Sequence, residues 1–140
     1  MNFIIKKTFK KIAASVMAVA ILSTGVTGIL ANAASANVSI SILNKNSGSW
    51  NADVDWKDDN EQKAYFNITS GGVSDPSHYL NFTLYSSSSL SSTRLTNDTM
   101  INHIGTTTSD YIVYRGSGSY SYLYAKTGYF TSSANGNYYA

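Results

Sequence analysis

Apolar and polar residues alternate strictly in four separate stretches of this chain, the pattern of half-buried β-strands. In 37–43 (NVSISIL), Val38, Ile40 and Ile42 point one way, with Ser39 and Ser41 opposite. In 49–56 (SWNADVDW), Trp50, Ala52, Val54 and Trp56 share one face and Asn51, Asp53 and Asp55 the other. The stretch 63–69 sets Ala64, Phe66 and Ile68 against Tyr65, Asn67 and Thr69. The stretch 78–85 sets Leu80, Phe82 and Leu84 against Tyr79, Asn81, Thr83 and Tyr85. In an antiparallel sheet with one face in water, the apolar set of each strand is expected to turn inward.

Turn formers punctuate these stretches at 44–48, 57–62 and 71–77, the last around Pro76. The mostly-serine segment 86–92 has little apolar surface to bury and reads as a mobile loop. Between Asn97 and Gly105 the period changes: Met100, Ile101 and Ile104 fit a helical face, with Asn97 as N-cap and Gly105 just past the end. One short helix is expected there. Further strands are expected at 111–114 and 119–125, and Asn135-Gly136 reads as a type I′ hairpin turn. About seven strands with turns at short intervals predict an all-β fold, an antiparallel β-sandwich or small barrel. Its expected core is Val38, Ile40, Trp50, Val54, Trp56, Phe66, Ile68, Leu80, Phe82, Leu84 and Leu123.

The first 36 residues follow a different logic. Lys6, Lys7, Lys10 and Lys11 precede an apolar run over 12–30, and two small-x-small sites follow, Ala31-Asn32-Ala33 and Ala34-Ser35-Ala36. These are the three parts of a secretory signal, with the cut after Ala33 or Ala36. The run approaches the ~20 residues of a membrane span. Ser23, Thr24, Gly25, Thr27 and Gly28 dilute its second half, which favours cleavage over retention as an anchor. The expected organisation is a signal peptide over 1–36 and a single β-rich domain over 37–140, secreted, with no stable membrane span after cleavage. The lysine-rich start resembles the signals of Gram-positive bacteria.

Removing residues 1–36 takes four of the ten lysines and arginines and none of the eight acids, leaving a net charge of −2. That excludes a nucleic-acid binder, which needs a basic surface for phosphates. The absence of cysteine excludes a disulfide scaffold, a thiolate zinc site and an iron–sulfur site. The two histidines, His78 and His103, read as surface residues, and no Gly-x-Ser-x-Gly elbow accompanies them. Asp53, Asp55, Asp58, Asp59 and Glu61 crowd one strand and the turn after it, whereas glycosidase acids come from separate elements around a cleft. Asp55, Asp58, Asp59 and Glu61 supply oxygens of the kind calcium takes, but Lys57 interrupts them and no glycine makes the sharp turn. A solvated acidic turn is the preferred reading. No catalytic residue and no cofactor is expected. The Asn-x-Ser/Thr sequons at Asn37, Asn67, Asn81 and Asn97 read as products of an Asn/Ser/Thr-rich bacterial chain.

The eleven tyrosines carry the functional expectation. In a regular strand Tyr120, Tyr122 and Tyr124 project from one face, ~6.6 Å apart, while Leu123 and Ala125 face the core. Tyr65, Tyr79 and Tyr85 likewise oppose the apolar faces of their strands. A tyrosine-lined outer face either stabilises the sheet through cross-strand packing or serves as an amphipathic platform for cell wall, glycan or an extracellular protein.

The early Trp50 strand, the segment 122–128 (YLYAKTG) and the terminal Tyr138-Tyr139 carry a resemblance. The chain resembles small secreted all-β proteins of Firmicutes and, more distantly, the lactococcin-type sandwich bacteriocins. That resemblance implies a cleaved signal, a cysteine-free β-domain and an antimicrobial action; no functional residue is carried over from it. The expected function is a non-enzymatic binding role outside the cell or at its envelope, with Tyr120, Tyr122 and Tyr124 as contact residues. The alternative is a bacteriocin-like protein acting on Gram-positive cells, and a small hydrolase is a distant third.

Overall fold

The computed structural model describes residues 35–128 and 130–140. The signal segment therefore lies outside the described residues, apart from Ser35 and Ala36. Eight strands follow in order: β1 (Ala36–Ile42), β2 (Gly48–Lys57), β3 (Lys63–Ser70), β4 (Leu80–Tyr85), β5 (Thr99–Ile101), β6 (Gly105–Asp110), β7 (Ser119–Thr127) and β8 (Ser132–Tyr139). Two single-turn 3-10 helices, Gly72–Ser74 and Pro76–His78, bridge β3 and β4. Among the described residues no helix is long and apolar enough to cross a membrane.

The strands form two antiparallel sheets, ordered β1-β8-β3-β6 and β2-β7-β4-β5, packed face to face without closing into a barrel. The alternation of β1 appears as strict burial of Ala36, Val38, Ile40 and Ile42 with the intervening positions exposed. Phe66 of β3 meets Phe82 of β4 across the two sheets, ring centroids 5.4 Å apart and nearly perpendicular. Ile68, Leu80, Leu84, Leu123 and Ala134 fill the layer around them. Burying each of the leucine, isoleucine and phenylalanine side chains contributes about 1.5–3 kcal/mol. Leu95, just beyond the serine segment, is also fully buried and is tied by its backbone to Leu84 and Ile112.

Four expectations are corrected. The segment around Met100 is a strand: Ile101 turns inward opposite Leu80, and Met100 turns out opposite Asn81. Three apolar residues at spacings of one and three fit a helix or a short strand equally, and pairing with β4 decides it. Asn135-Gly136 is no turn but lies inside β8, where Gly136 faces Val38 on one side and Ile68 on the other. A Cβ on Gly136 would sit 2.0 Å from the Asn67 carbonyl oxygen, so the glycine answers a close approach by β3. The stretch 111–114 is not a strand; Tyr111 makes one isolated bridge to Thr96, and Ile112, Val113 and Tyr114 are exposed in the loop between β6 and β7. Finally, Trp50, Val54 and Trp56 do not enter the core. They share a face as expected, but that face is the outer one, and Asn51, Asp55 and Lys57 are buried instead.

Candidate functional site

The outward turn of β2 follows from its partner. β7 alternates so that Ser121, Leu123 and Ala125 are buried and Tyr120, Tyr122 and Tyr124 stand on the outer side. Residues directly opposite in an antiparallel pair project to the same face. Trp56 lies opposite Tyr120, Val54 opposite Tyr122, and Trp50 opposite Tyr124. On the far side of β7, Tyr85 of β4 lies opposite Tyr122 and Thr83 opposite Tyr124. Between Trp50 and Val54, β2 bulges, placing Asn51, Ala52 and Asp53 against the single residue Leu123. The bulge preserves the parity, so both tryptophans stay on the tyrosine side.

The rings gather into two groups. Trp56 and Tyr120 meet edge to face with centroids 4.7 Å apart, and they are 42% and 51% exposed. Trp50, Tyr124 and Tyr85 form the second group, with centroid separations of 5.0 Å for Trp50–Tyr124, 5.4 Å for Trp50–Tyr85 and 6.3 Å for Tyr85–Tyr124. Tyr122 and Val54 lie between them. Sequence reasoning found the three β7 tyrosines and missed both tryptophans, because only strand pairing shows that they lie across from Tyr120 and Tyr124.

At the β5 side the aromatic face meets a polar rim. Arg94 bridges opposite Tyr85, and its Nη2 lies 2.7 Å from Asp98 Oδ1. The same Asp98 oxygen accepts the Thr83 hydroxyl at 2.6 Å, and Arg94 Nε donates to the Thr96 carbonyl at 2.8 Å. Lys126 stands on the same outer side in the row beyond Tyr124, opposite Asn81.

Beneath the β2 edge lies a buried polar network. Asp55 accepts the Ala140 backbone N–H, and its own N–H donates to Tyr138 Oη at 3.0 Å. Tyr138 in turn donates to the Ser121 carbonyl at 2.8 Å, pinning β8 to β7 across the sandwich. Burial pushes the Asp55 carboxyl up to about 7, and the Ala140 N–H only partly offsets this. Lys57, fully buried, pairs with Asp59 at 2.8 Å and lies 5.2 Å from the centre of the Tyr111 ring. Burial also pushes the Tyr111 phenol up to about 12, and the nearby Ser121 hydroxyl offsets part of the rise without completing a hydrogen bond. This network braces the underside of the strand that carries both tryptophans.

The acidic residues weighed for calcium do not converge. Asp55 points into the sandwich, Asp59 is taken by Lys57 and the Glu61 N–H, and Glu61 accepts the Tyr65 hydroxyl at 2.6 Å. Among the described residues no group of three or more histidine or carboxylate side chains is placed to hold a metal ion. Around His78, Asp75 and the Ser77 hydroxyl both approach Nδ1, at 3.2 and 3.1 Å. A hydrolytic triad needs its serine and its acid on opposite ring nitrogens, so this is a local turn contact. The His103 ring makes a hydrogen bond with the neighbouring Asn102 side chain at 3.0 Å. Of the candidate cleavage residues, Ala33 lies outside the described residues, while Ala36 opens β1 and is buried opposite Tyr138.

No protein-family model matches the chain, and neither does any curated protein or solved structure.

Proposed function

We propose that this chain is a secreted, non-enzymatic bacterial protein that binds a partner outside the cell or at its envelope through the outer face of the β2-β7-β4-β5 sheet. The observation that carries the reading is the gathering of Trp50 and Trp56 with Tyr85, Tyr120, Tyr122 and Tyr124 on that one face. Contiguous exposed apolar surface of this kind on a small protein favours a contact role. Secretion rests on the n-region, apolar run and cleavage sites of the first 36 residues. Because β1 starts at Ala36, cleavage after Ala33 leaves the strand whole, which supports the earlier site.

The test is co-sedimentation of the secreted protein with cell envelopes of its producer. Binding that drops at least tenfold on Tyr120→Ser with Trp56→Ser, with unchanged circular dichroism, supports the reading; undiminished binding by that variant removes the face from it.

A second reading has its own observation. Ile112, Val113 and Tyr114 form an exposed apolar loop tip, and the same loop returns to the Trp56–Tyr120 end through bonds from Arg115 to the Tyr120 carbonyl and from Gly118 to the Lys57 carbonyl. A tip of this composition favours contact with a target cell surface and hence a bacteriocin-like action on Gram-positive cells. Inhibition zones on an indicator panel, lost on Val113→Asp, would favour it.

A further inference from the structure

We infer that the aromatic face takes an uncharged, extended polysaccharide, with pyranose rings stacked on the aromatic groups and their hydroxyl edges read by Arg94 and Asp98; this rests on the binding role proposed above. Three observations point to that chemistry.

The first is charge. The paired positions of the face from Trp56 and Tyr120 to Trp50 and Tyr124 carry no ionisable side chain other than phenols until Arg94 opposite Tyr85, and Lys126 stands in the row beyond Tyr124. The charges at its β5 border, Arg94 and Asp98, neutralise each other at 2.7 Å. After loss of the signal segment the chain is net negative, with Asp53 in β2 and Asp58 just after it, while Asp59 is neutralised by Lys57. The net negative charge works against an acidic polymer or an anionic lipid surface, although Lys126 beside the face would attract either. A neutral partner matches the neutral face.

The second is amphipathicity. A pyranose ring offers C–H groups above and below its plane and hydroxyls around its edge. Aromatic rings present an electron-rich face that attracts such C–H groups, and tyrosine and tryptophan add a polar handle. Trp56 and Tyr120 are the most open of the rings at the β2 end. The two ring groups are offset along β7 by the four residues from Tyr120 to Tyr124, ~13 Å. A chain several sugars long would span both, whereas a single sugar would use only one.

The third is the rim. Asp98 spends one oxygen on Thr83 and Arg94, and the pair is 60% and 40% exposed on the Asp98 and Arg94 side chains respectively. A carboxylate and a guanidinium held side by side offer an acceptor and a donor to neighbouring hydroxyls, beside the ring of Tyr85. A purely apolar partner would leave this pair unused.

The experiment is co-sedimentation of the secreted protein with microcrystalline cellulose and with chitin, with tryptophan fluorescence titrations using cellohexaose and chitohexaose. Polygalacturonate and phosphatidylglycerol vesicles serve as acidic comparators. The expected result is saturable binding to at least one neutral polymer, weakened at least tenfold by Trp56→Ser and severalfold by Asp98→Asn, and unchanged by Asn137→Ser on the other sheet. If Trp56→Ser proves misfolded by circular dichroism, Asp98→Asn and Arg94→Gln decide. Failure to bind any neutral polymer or oligomer overturns the inference, as does tighter binding to either acidic comparator or binding untouched by the rim variants. Envelope binding that is lost on Trp56→Ser while all neutral sugars are ignored would leave the general binding role standing and sink the polysaccharide.

Discussion

The two outer faces of the sandwich solve one problem with different chemistry. On the β1-β8-β3-β6 sheet the solvent side is mostly amides and hydroxyls: Asn37, Asn137, Asn67 and Thr106 lie in one cross-strand row, Ser39 and Asn135 lie in the row on one side of it, and Tyr65 faces Tyr139 in the row on the other. These groups bond to one another, Asn67 Nδ2 to Asn137 Oδ1 at 3.2 Å and Thr106 Oγ1 to Asn67 Oδ1 at 3.3 Å. On the β2-β7-β4-β5 sheet the equivalent positions carry tryptophan and tyrosine. Neither face relies on charge, which is scarce in this chain at 13%. Apart from the Tyr65–Tyr139 pair at one end, the polar lattice covers its sheet without aromatic rings. Clustered rings in the number seen on the second face are therefore not a requirement of the architecture, and that difference supports the contact role proposed for it.

Several measurements would break or sharpen this contrast. The largest effect is expected from Leu123→Ala, which empties the core beneath the aromatic face and should lower unfolding free energy by about 2–5 kcal/mol in urea titration. If outward tyrosine changes cost as much, the faces are not what they are described to be.

The next is a pH slope arising under the aromatic sheet. Asp55 is pushed up to about 7 by burial, above the ordinary carboxylate value it regains on unfolding. Between those values the folded chain holds a proton that the unfolded chain releases. The stability Asp55 contributes is thus full below about pH 4, is lost as pH rises towards 7, and changes no further above it, a span of at most about 4 kcal/mol. Thermal melts from pH 4 to 8 should show the decline, and Asp55→Asn should remove this component.

Gly136→Ala probes the polar sheet. Its Cβ would press on the Asn67 carbonyl, and a loss of about 1–3 kcal/mol is expected as β3 and β8 part. Binding by the aromatic face should survive under conditions where the variant remains folded.

The smallest stability effect should come from converting Tyr120, Tyr122 and Tyr124 to Ser, at about 0.2–1 kcal/mol for each cross-strand aromatic pair lost. Chemical denaturation would measure it. Tyr124 should matter most to stability, because it packs against both Trp50 and Tyr85, whereas Tyr120 has the single ring contact with Trp56.

Much of the fold could be read from local pattern. Four alternating stretches became β1 to β4, and the Tyr120-Tyr122-Tyr124 alternation became an outer face with Leu123 and Ala125 beneath it. Period-two spacing is a backbone property, so it survives without knowledge of the partners. Where the pattern was short or its meaning depended on a neighbour, local reading failed, as at Met100-Ile101 and at Asn135-Gly136.

β2 shows the boundary between the two most clearly. Alternation determined that Trp50, Val54 and Trp56 share a face, but not which face is wet. Hydrophobicity alone turns the tryptophans inward. The tertiary structure turns them outward, because β7 presents tyrosines as their lateral neighbours and because distant groups satisfy the polar set on the other side. Asn51 shows how: its side chain donates to the Asn37 carbonyl at 2.7 Å and accepts from the Ser39 N–H at 3.0 Å, taking the place of a neighbouring strand at the β1 edge. Asp55 finds the Ala140 N–H, and Lys57 finds Asp59 and the Tyr111 ring. A polar residue is cheap to bury only when its partner is already in place. Here the partner of Asn51 lies in β1, and those of Asp55 and Lys57 include the end of β8 and the loop after β6. Local alternation decided which side chains of β2 stand together; only long-range contacts decided which of them meet water.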